Sequence, residues 1–353
     1  MKYSLIQFDD IKAKKLSEGM KDSKYSLKTM SASPILTPLV LTKNIMTKGR
    51  PETLIYRYLN DYPSLFKTIL RILAEIFSIL ICAVLKVDLI WICHNVDKES
   101  KEYHPFLTNL RRKLIVRFSK KVLVTDKLLI KEAQKHLNIK PSKIDYITFG
   151  SYLPSNTKRD QEATEKIKDF INCAKKNTQE KYLIGLCISS ANKKNISYEE
   201  AINLLDKSSF YEIFLIFVGE ISEEMKERNK KAYEILKEHS KVLIINEKIH
   251  INEKELSDYI DFYWRVYDDQ SVPFTAYNAA TIKKPILTKE IGFLGEMTSK
   301  YKIGIVLNEN NTIDEQLTKL KNWDKKNAID FLENNNWEVA VNRLKKHLKF
   351  YNN

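Results

Sequence analysis

Apolar runs rich in β-forming residues alternate with helical segments along almost the whole chain. Before Gly150, strands are predicted at residues 3–8, 39–42, 54–58, 88–93, 121–125 and 144–149, and helices at 62–85, 105–118 and 127–137. Continuous apolar strands that are separated by helices are typical of a parallel sheet with both faces covered. The chain is therefore predicted to be an α/β protein.

The alternation is interrupted once, at residues 150–157, where Gly, Pro, Ser and Asn occur close together and indicate a linker. Strands are predicted again at 182–189, 213–218, 242–246, 262–267, 285–288 and 303–307, and helices at 160–175, 198–206, 223–239, 253–260, 273–282 and 293–301. Residues 312–350 are predicted to be helical. A length of 353 residues suits two domains. We expect Rossmann-like parallel-sheet domains at 1–155 and 156–325 that face a central cleft, and a helical tail at 326–353 that packs back on the first domain.

The composition favours an anionic partner. Lys plus Arg number 59 and Asp plus Glu 45, so the net charge is +14. This charge suits nucleic acid, an acidic membrane surface or a phosphorylated ligand, and a generally lysine-rich composition explains it equally well. The four cysteines form no CxxC pair and are predicted to be free thiols, and the six histidines show no zinc-like spacing, so no metal site is predicted.

The most hydrophobic segment is residues 65–85. Lys67, Arg71 and Glu75 are spaced four apart and share one helical face. The uninterrupted apolar part, residues 76–85, is shorter than the roughly 20 residues that a membrane-spanning helix needs. We predict an amphipathic helix whose apolar side packs on the core, with contact to a bilayer as the alternative. The first six residues lack a signal-peptide core and are predicted to begin the first strand.

Two segments of the second half carry candidate anion-binding groups. The loop after the strand at 182–189 contains Lys193 and Lys194, whose ammonium groups can neutralise a diphosphate, although a solvated turn is the structural alternative. Arg265 lies in the strand at 262–267. Ser271 is predicted to cap a helix that Pro273 opens, and the exposed amides of such a helix start attract anions.

The order of features in residues 261–304 resembles the donor-binding domain of bacterial GT-B glycosyltransferases, especially those that build capsule or O-antigen. An acidic loop and Ser are followed by Pro, a small-residue helix, a Lys-Pro strand, Gly-Phe-Leu-Gly-Glu and Tyr-Lys-Ile-Gly. The resemblance implies transfer of a sugar from a UDP- or GDP-sugar to a saccharide or lipid-linked acceptor, with no cofactor and no metal. The donor-binding residues that it implies, together with the two lysines, are Arg265, Ser271, Pro273, Phe274, Thr275, Gly295 and Glu296.

Many retaining members of this family carry two glutamates, eight positions apart, that flank this proline; one contacts the donor sugar and the other binds the ribose. With the family proline placed on Pro273, Asp268 falls at the first of these positions and Ala276 at the second. The resemblance therefore implies that Asp268 or its neighbour Asp269 contacts the donor sugar. It predicts no acid for the ribose, apart from Glu296 as a substitute, and it does not predict whether the reaction retains or inverts the anomeric configuration.

In the first half, the strand at 88–93 ends in His94 and Asn95, similar to the Trp-x-x-His-Asn strand end of these transferases. A histidine at the carboxyl end of a parallel strand can hydrogen-bond the transferred sugar or act as a base toward an acceptor hydroxyl. A structural histidine is the alternative. Asn95 and Asp97 are predicted to lie on the acceptor side. The family often has histidine where this chain has Phe149, and glycine at the position of Gly150.

Other classes of function stay open at this stage. No P-loop and no GxGxxG motif occurs, which argues against an NTPase and a typical NAD enzyme. A non-catalytic or nucleic-acid-binding basic α/β protein is one alternative, although no interleaved basic and aromatic module occurs, so nucleic acid is not predicted as the partner. A sugar-nucleotide enzyme such as an epimerase is the other. We expect a cytoplasmic enzyme that is peripheral at the inner face of the cell membrane.

Overall fold

A computed structural model describes residues 2–21, 24–99, 102–153, 157–177, 181–188, 196–221 and 230–351. The chain divides into two compact units. One consists of Met1–Gly150 together with Asn335–Asn353, and the other is Ser151–Asn334. Each unit contains one six-stranded sheet in which neighbouring strands run parallel.

The first unit has its strands in the order β2-β1-β3-β4-β5-β6. Its elements along the chain are β1 (Lys2–Gln7), α1 (Ile11–Gly19), β2 (Tyr25–Met30), a 3₁₀ turn (Pro34–Leu36), α2 (Thr37–Lys48), β3 (Thr53–Tyr56), α3 (Leu65–Val84), β4 (Asp88–Cys93), α4 (Pro105–Phe118), β5 (Lys121–Val124), α5 (Leu129–Leu137), a 3₁₀ turn (Pro141–Lys143) and β6 (Ile144–Tyr146). The central strands are buried almost throughout, as the prediction of a covered parallel sheet requires.

Two predictions for this unit are wrong. Residues 39–42, predicted as a strand, lie in α2, because Pro38 suits a first helical turn and the buried residues Thr37 and Leu41 are four apart, on one helical face. The strand β2 at Tyr25–Met30, which pairs with β1 along its whole length, was not predicted at all.

The C-terminal residues belong to the first unit. Here lie α13 (Trp337–Lys345) and a 3₁₀ turn at Lys349–Tyr351. The ring of Trp337 fills the space beside Gly150, where an added Cβ would lie 2.5 Å from the indole Cδ1. The Thr148 hydroxyl donates to the Asn335 side chain over 2.6 Å. The C-terminal segment therefore packs against, and is hydrogen-bonded to, the residues that follow β6.

The second unit has the strand order β12-β11-β10-β7-β8-β9. Its elements are α6 (Lys158–Asn177), β7 (Tyr182–Ile188), α7 (Ser197–Lys207), β8 (Glu212–Val218), α8 (Lys230–Glu238), β9 (Val242–Ile245), β10 (Phe262–Trp264), α9 (Phe274–Thr281), β11 (Ile286–Lys289), α10 (Gly292–Tyr301), β12 (Gly304–Leu307), α11 (Ile313–Lys321) and α12 (Lys326–Asn334). Leu215, Phe217 and Trp264 are central to its core.

The predicted helix at 253–260 is wrong, because these residues form a series of turns. Only Leu256 and Ile260 of its apolar residues are buried, and the turns lead directly into β10. The side chain of Glu253 points into the unit, where Tyr263 and Asn278 hold it. A polar anchor therefore replaces the apolar stripe that would have favoured a helix.

The 20-residue helix α3 packs on the core with only part of its apolar residues, among them Ile72 and Ile79. The same buried side carries Arg71 and Glu75, whereas most of the large apolar side chains are exposed. The exposed large apolar side chains, which we call the α3 face, are Leu65, Phe66, Ile69, Leu73, Ile76, Phe77, Leu80 and Val84. Within the described ranges, no helix combines the length and the apolar content needed to cross a membrane.

The charges of α3 are buried because α4 supplies a partner. Arg111 of α4 donates from Nε and Nη2 to the two carboxylate oxygens of Glu75, over 2.8 and 2.7 Å. Arg71 donates to the same carboxylate over 3.2 Å and to the backbone carbonyls of Asn60 and Tyr58. Bidentate, charge-assisted hydrogen bonds of this kind offset much of the desolvation cost of burying the three charged groups.

Candidate functional site

The strand order of the second sheet reverses between β7 and β10, and open parallel sheets bind ligands at the carboxyl end of this position. Arg265 is the first residue after β10. It is 3% exposed, and its Nη1 donates over 2.8 Å to the carbonyl of Ile188, the last residue of β7. Arg265 therefore connects the two strand ends at the switch point. A guanidinium has the planar donor geometry that suits phosphate.

The loop that follows β10 contains the two acids of the prediction. Asp268 is exposed, whereas Asp269 is buried and accepts a 3.1 Å hydrogen bond from the Ser271 hydroxyl. The Asp269 carbonyl also accepts from the amide of Phe293 over 2.8 Å. Of the two carboxylates, Asp269 organises the loop, and Asp268 is the one that a ligand can reach.

Gly292 allows this loop to pack on the start of α10. Its φ is +61°, a conformation that L side chains rarely adopt, and an added Cβ would lie 2.3 Å from the Tyr267 carbonyl oxygen. The predicted Gly295 is close-packed for a similar reason, since its Cβ would lie 2.5 Å from the Lys289 carbonyl. Both glycines therefore bring backbone segments together.

The helix α9 begins at Phe274, with Pro273 at the N-cap and no side-chain cap. The prediction that Ser271 caps it is wrong, because the Ser271 hydroxyl is directed to Asp269. Thr275 is buried in the first turn, and Phe274 is half-buried. A first turn whose amides receive no side-chain oxygen can attract an anion. Ala276, at the position expected to be acidic, is completely buried.

A buried carboxyl group beneath α9 was missed by sequence reasoning. Glu253 accepts hydrogen bonds from the Tyr263 hydroxyl and from the Asn278 amide, the latter over 2.9 Å. The Asn278 carbonyl oxygen accepts from the backbone of Tyr152 over 3.1 Å. Burial raises the pKa of Glu253 to about 7, although both hydrogen bonds act against this. No spacing in the sequence signals this cluster, since its members lie on separate segments.

The remaining predicted donor residues are not all brought together. Glu296 is exposed and lines an open cavity of about 760 Å³ beside the edge strand β12, together with Lys300, Lys302 and Lys319. Arg265 does not line this cavity. Lys193 and Lys194 lie outside the described residues.

The first sheet has its own switch point, between β1 and β3, and Arg57 follows β3 there. The guanidinium of Arg57 is fully buried and donates to three side chains. Nη1 bonds Asp10 Oδ1 over 2.5 Å, Nη2 bonds the Tyr58 hydroxyl over 3.0 Å, and Nε bonds Nε2 of His94 over 3.3 Å. Neither Arg57 nor Asp10 was predicted as a site residue. Arg57 could have been identified from its position, because residues that directly follow a strand at a switch point lie where open parallel sheets bind ligands.

His94 lies in an aromatic stack at this strand edge. The Tyr58 ring is 4.3 Å from it and the Phe149 ring 5.6 Å, and both are nearly parallel to it. Burial, with the nearby positive charges of Lys12 and Arg57, holds the pKa of His94 well below its usual range. His94 is therefore neutral near pH 7. Its Nε2 is the acceptor for Arg57, so the ring proton is assigned to Nδ1.

Other residues around this strand edge have separate roles. The Lys12 Nζ lies 4.7 Å from the centre of the Phe149 ring, and burial and the charge of Arg57 lower the pKa of Lys12 to about 7. Asn95 is buried, and its backbone carbonyl accepts from Arg112 over 3.1 Å. Asp97 is half-buried and lines a cavity of about 600 Å³ that includes Arg112 but not His94.

The described residues contain no group of three or more His, Cys, Asp or Glu side chains that could hold a metal ion. The basic side chains near the two switch points include Arg57 and Lys12 in the first unit and Arg265 in the second, and both arginines are buried and hydrogen-bonded.

The whole chain resembles solved two-domain sugar enzymes. A glycosyltransferase from Rickettsia africae is 17% identical with a TM-score of 0.65, and the alignment covers 99% of this chain and 98% of that one. HepE of Anabaena, solved with UDP and glucose, is 11% identical with a TM-score of 0.66, over 98% and 99% of the two chains. The UDP-GlcNAc 2-epimerase of Methanocaldococcus jannaschii is 15% identical with a TM-score of 0.53, also over 98% and 99%.

No protein-family model and no curated protein sequence matches the chain. At identities this low, the structural likeness shows the fold. The chain has the two-sheet GT-B fold that was predicted, with a helical C-terminal region. The activity has to be argued from the site itself.

Proposed function

We propose that the protein is a glycosyltransferase that moves a sugar, of the hexose type, from a nucleotide-sugar donor to a saccharide acceptor. The observation that carries this proposal is Arg265, a buried cation that connects β10 to β7 where the order of the second sheet reverses. In this proposal residues 156–325 bind the donor, residues 1–155 bind the acceptor, and residues 326–353 complete the acceptor domain.

The second unit would hold the donor diphosphate. Arg265 and the first-turn amides of α9 would stabilise the charge that develops on the leaving diphosphate, and Lys193 and Lys194 would add to it. Asp268 is exposed in the same loop and is the acid that we propose to contact the donor sugar. Asp269, held by Ser271, would position it. UDP is the preferred nucleotide, because HepE, which has the same fold, was solved with UDP and glucose.

The carboxyl edge of the first sheet would receive the acceptor. Since Nε2 of His94 already accepts a hydrogen bond from Arg57, a role for His94 as a base at this atom is disfavoured. We propose instead that His94 donates a hydrogen bond to a sugar hydroxyl from Nδ1. The rings of Tyr58 and Phe149, together with Lys12, would form the adjoining wall of this site, while Asn95 shapes the strand end.

We further propose that the acceptor is lipid-linked, that the product is a surface polysaccharide such as capsule or O-antigen, and that the enzyme works at the cytoplasmic face of the membrane. The net charge of +14 supports an anionic surface as a partner. The exposed apolar side of α3 supports a partner that accepts apolar side chains.

A thermal-shift panel with UDP, GDP, CMP and ADP tests the donor site. We expect one nucleotide, UDP, to raise the melting temperature, because ligand that binds only the folded state stabilises it. The variant Arg265→Ala should lose most of this shift. Arg159→Ala, in an exposed pair with Glu247 in the same unit, is the matched control and should keep it. Equal shifts for all four nucleotides, or an unchanged shift in the Arg265 variant, would contradict the proposed site.

An epimerase is the second candidate, because the structural likeness extends to UDP-GlcNAc 2-epimerase with a TM-score of 0.53. Incubation with a labelled UDP-sugar separates the two reactions. An epimerase converts the donor without acceptor and leaves the sugar on UDP. A transferase releases UDP and moves the label to an added saccharide.

A further inference from the structure

The exposed side of α3 forms a continuous apolar surface on the first unit. Phe66 is 69% exposed, Phe77 58% and Val84 78%, and they lie along the full length of the helix. The helix α2, which packs against α3, also exposes Leu39 and Met46, at 66% and 81%. Soluble proteins rarely expose a contiguous apolar surface of this kind unless it has a partner.

The orientation of α3 is imposed by the fold. Glu75 is held by Arg71 and Arg111, and Arg71 also holds the carbonyls of residues 58 and 60. Rotating the helix to hide its apolar side would break these contacts and expose the backbone groups that they satisfy. The exposed apolar side is therefore a stable feature of this unit.

Charge around the surface identifies the partner. Residues 31–86 are all described, and their exposed charged side chains are Lys43, Lys48, Arg50, Lys67 and Lys86. The acids of this stretch are engaged elsewhere: Glu52 pairs with Lys2 at 3.1 Å, Asp61 accepts from two backbone amides of the α4 start, and Glu75 is buried. Within residues 31–86, every exposed charge beside the apolar surface is therefore positive.

The positive groups lie where they would meet the same partner as the apolar ones. Lys43 is positioned between Leu39 and Met46, on the same face of α2. Lys67, in the first turn of α3, is exposed at the edge of this face, toward the side that carries Arg71 and Glu75, and Lys86 follows the last turn. Arg50 donates to the carbonyl of Leu85 over 3.0 Å, at the same end of the helix. A second copy of the chain would place like charges against these borders, which disfavours self-association.

We infer that the α3 face, with Leu39 and Met46 of α2, docks on an anionic phospholipid bilayer, with its apolar side chains at the acyl boundary and Lys43, Lys48, Arg50, Lys67 and Lys86 at the lipid headgroups. This inference rests on the proposed function, for which it specifies the docking surface. The helix lies along the membrane plane. The segment at residues 57–60, which Arg71 fixes, joins this surface to the strand edge that carries Arg57 and His94.

Flotation of the full chain with lipid vesicles tests the inference. We expect it to float with phosphatidylcholine vesicles that contain phosphatidylglycerol, and much less with phosphatidylcholine alone. The double variant Phe77→Gln/Leu80→Gln should weaken binding by about tenfold or more, because two large side chains no longer enter the apolar layer. Lys43→Glu/Lys48→Glu should weaken binding to the anionic vesicles and reduce its dependence on salt.

Phe210→Gln and Ile329→Gln are matched controls, because these residues are similarly exposed on the other unit. They should leave flotation unchanged. Failure of the native chain to float, or equal flotation of the Phe77/Leu80 variant, overturns the inference. So does a dimer in solution that this variant converts to a monomer without any vesicle binding.

The nucleotide thermal shift separates this inference from the proposed function. The Phe77/Leu80 variant should retain the full UDP shift, since it changes only exposed side chains of the first unit. Vesicle binding without any nucleotide shift in the native chain would leave the docking surface intact and refute the transferase. A nucleotide shift in the native chain without vesicle binding would support the transferase and refute the docking surface.

Discussion

The Nε of Arg57 donates a hydrogen bond to Nε2 of His94 over 3.3 Å, so His94, at the carboxyl end of β4, faces a fixed positive charge. A histidine held in this way is a neutral hydrogen-bonding group. This contact changes the role that the strand-end His-Asn pair suggests, because it uses the nitrogen that a base would need.

The titration of His94 follows from this contact. We expect the ring to stay neutral and not to titrate between pH 6 and 8, because burial and the charges of Lys12 and Arg57 lower its pKa well below 6.5. Proton NMR of the imidazole C2–H signal measures it, with the signal assigned by its loss in His94→Gln. In Arg57→Gln one of the opposing charges is removed, and the pKa of His94 should rise. Titration of native His94 near pH 6.5 would contradict the assignment.

Gly292 should be irreplaceable for the donor loop. In Gly292→Ala the new Cβ meets the Tyr267 carbonyl at 2.3 Å and the Asp269 amide at 2.8 Å, so the loop has to move. Left-handed backbone alone costs a residue with a Cβ about 1–2 kcal/mol, and we expect the free energy of unfolding to fall by more than this. We also expect the variant to lose the nucleotide thermal shift. Gly49→Ala is the control for the nucleotide shift: with φ +79° and ψ −176° alanine is strained there too, but no atom lies within 4 Å of the added Cβ. It should keep the nucleotide shift. An unchanged shift in Gly292→Ala, or an equal loss of the shift in both variants, would contradict the proposed loop packing.

Glu253 should make the protein less stable as the pH rises. Its pKa is raised from 4.5 to about 7 in the folded state, so the folded chain binds a proton that the unfolded chain releases. Stability from this group is fully present below about pH 4.5 and is lost as the pH rises to about 7, by roughly 3 kcal/mol at most. In Glu253→Gln this loss should disappear. Urea unfolding at pH 5 and 8 measures it, with the exposed Glu309→Gln as the control.

The buried network under α3 should be costly to break. Glu75→Gln leaves the guanidinium groups of Arg71 and Arg111 without a carboxylate, and removal of one partner from a buried ion pair costs about 3–5 kcal/mol. We expect a decrease of this size in the free energy of unfolding measured in urea. Glu18→Gln, in an exposed pair with Lys15, should change it by less than about 1 kcal/mol. Equal effects would mean that the network does not hold the helix.

Many strands and helices of the fold were predicted correctly from local sequence patterns. Continuous apolar runs such as β4 and β8 predict buried strands, because both faces of a parallel sheet are covered by helices. Arg265 was predicted inside the strand at 262–267, whereas the structure ends β10 at Trp264 and places Arg265 directly after it. Local reasoning failed at α2, where an apolar run of four residues is compatible with helix and strand alike.

Local patterns predict two parallel-sheet units and place His94 at a strand end, because apolar periodicity and the succession of elements along the chain are local properties. Which side of a helix is buried depends on tertiary contacts. The spacing of Arg71 and Glu75 shows that they share one side of α3, but that side is buried because Arg111, 36 residues further along, supplies the opposing charge. In the same way, Arg57 and Glu253 acquire their roles from partners on other segments. A charge can be buried only where the fold brings it a partner, and no local pattern records that.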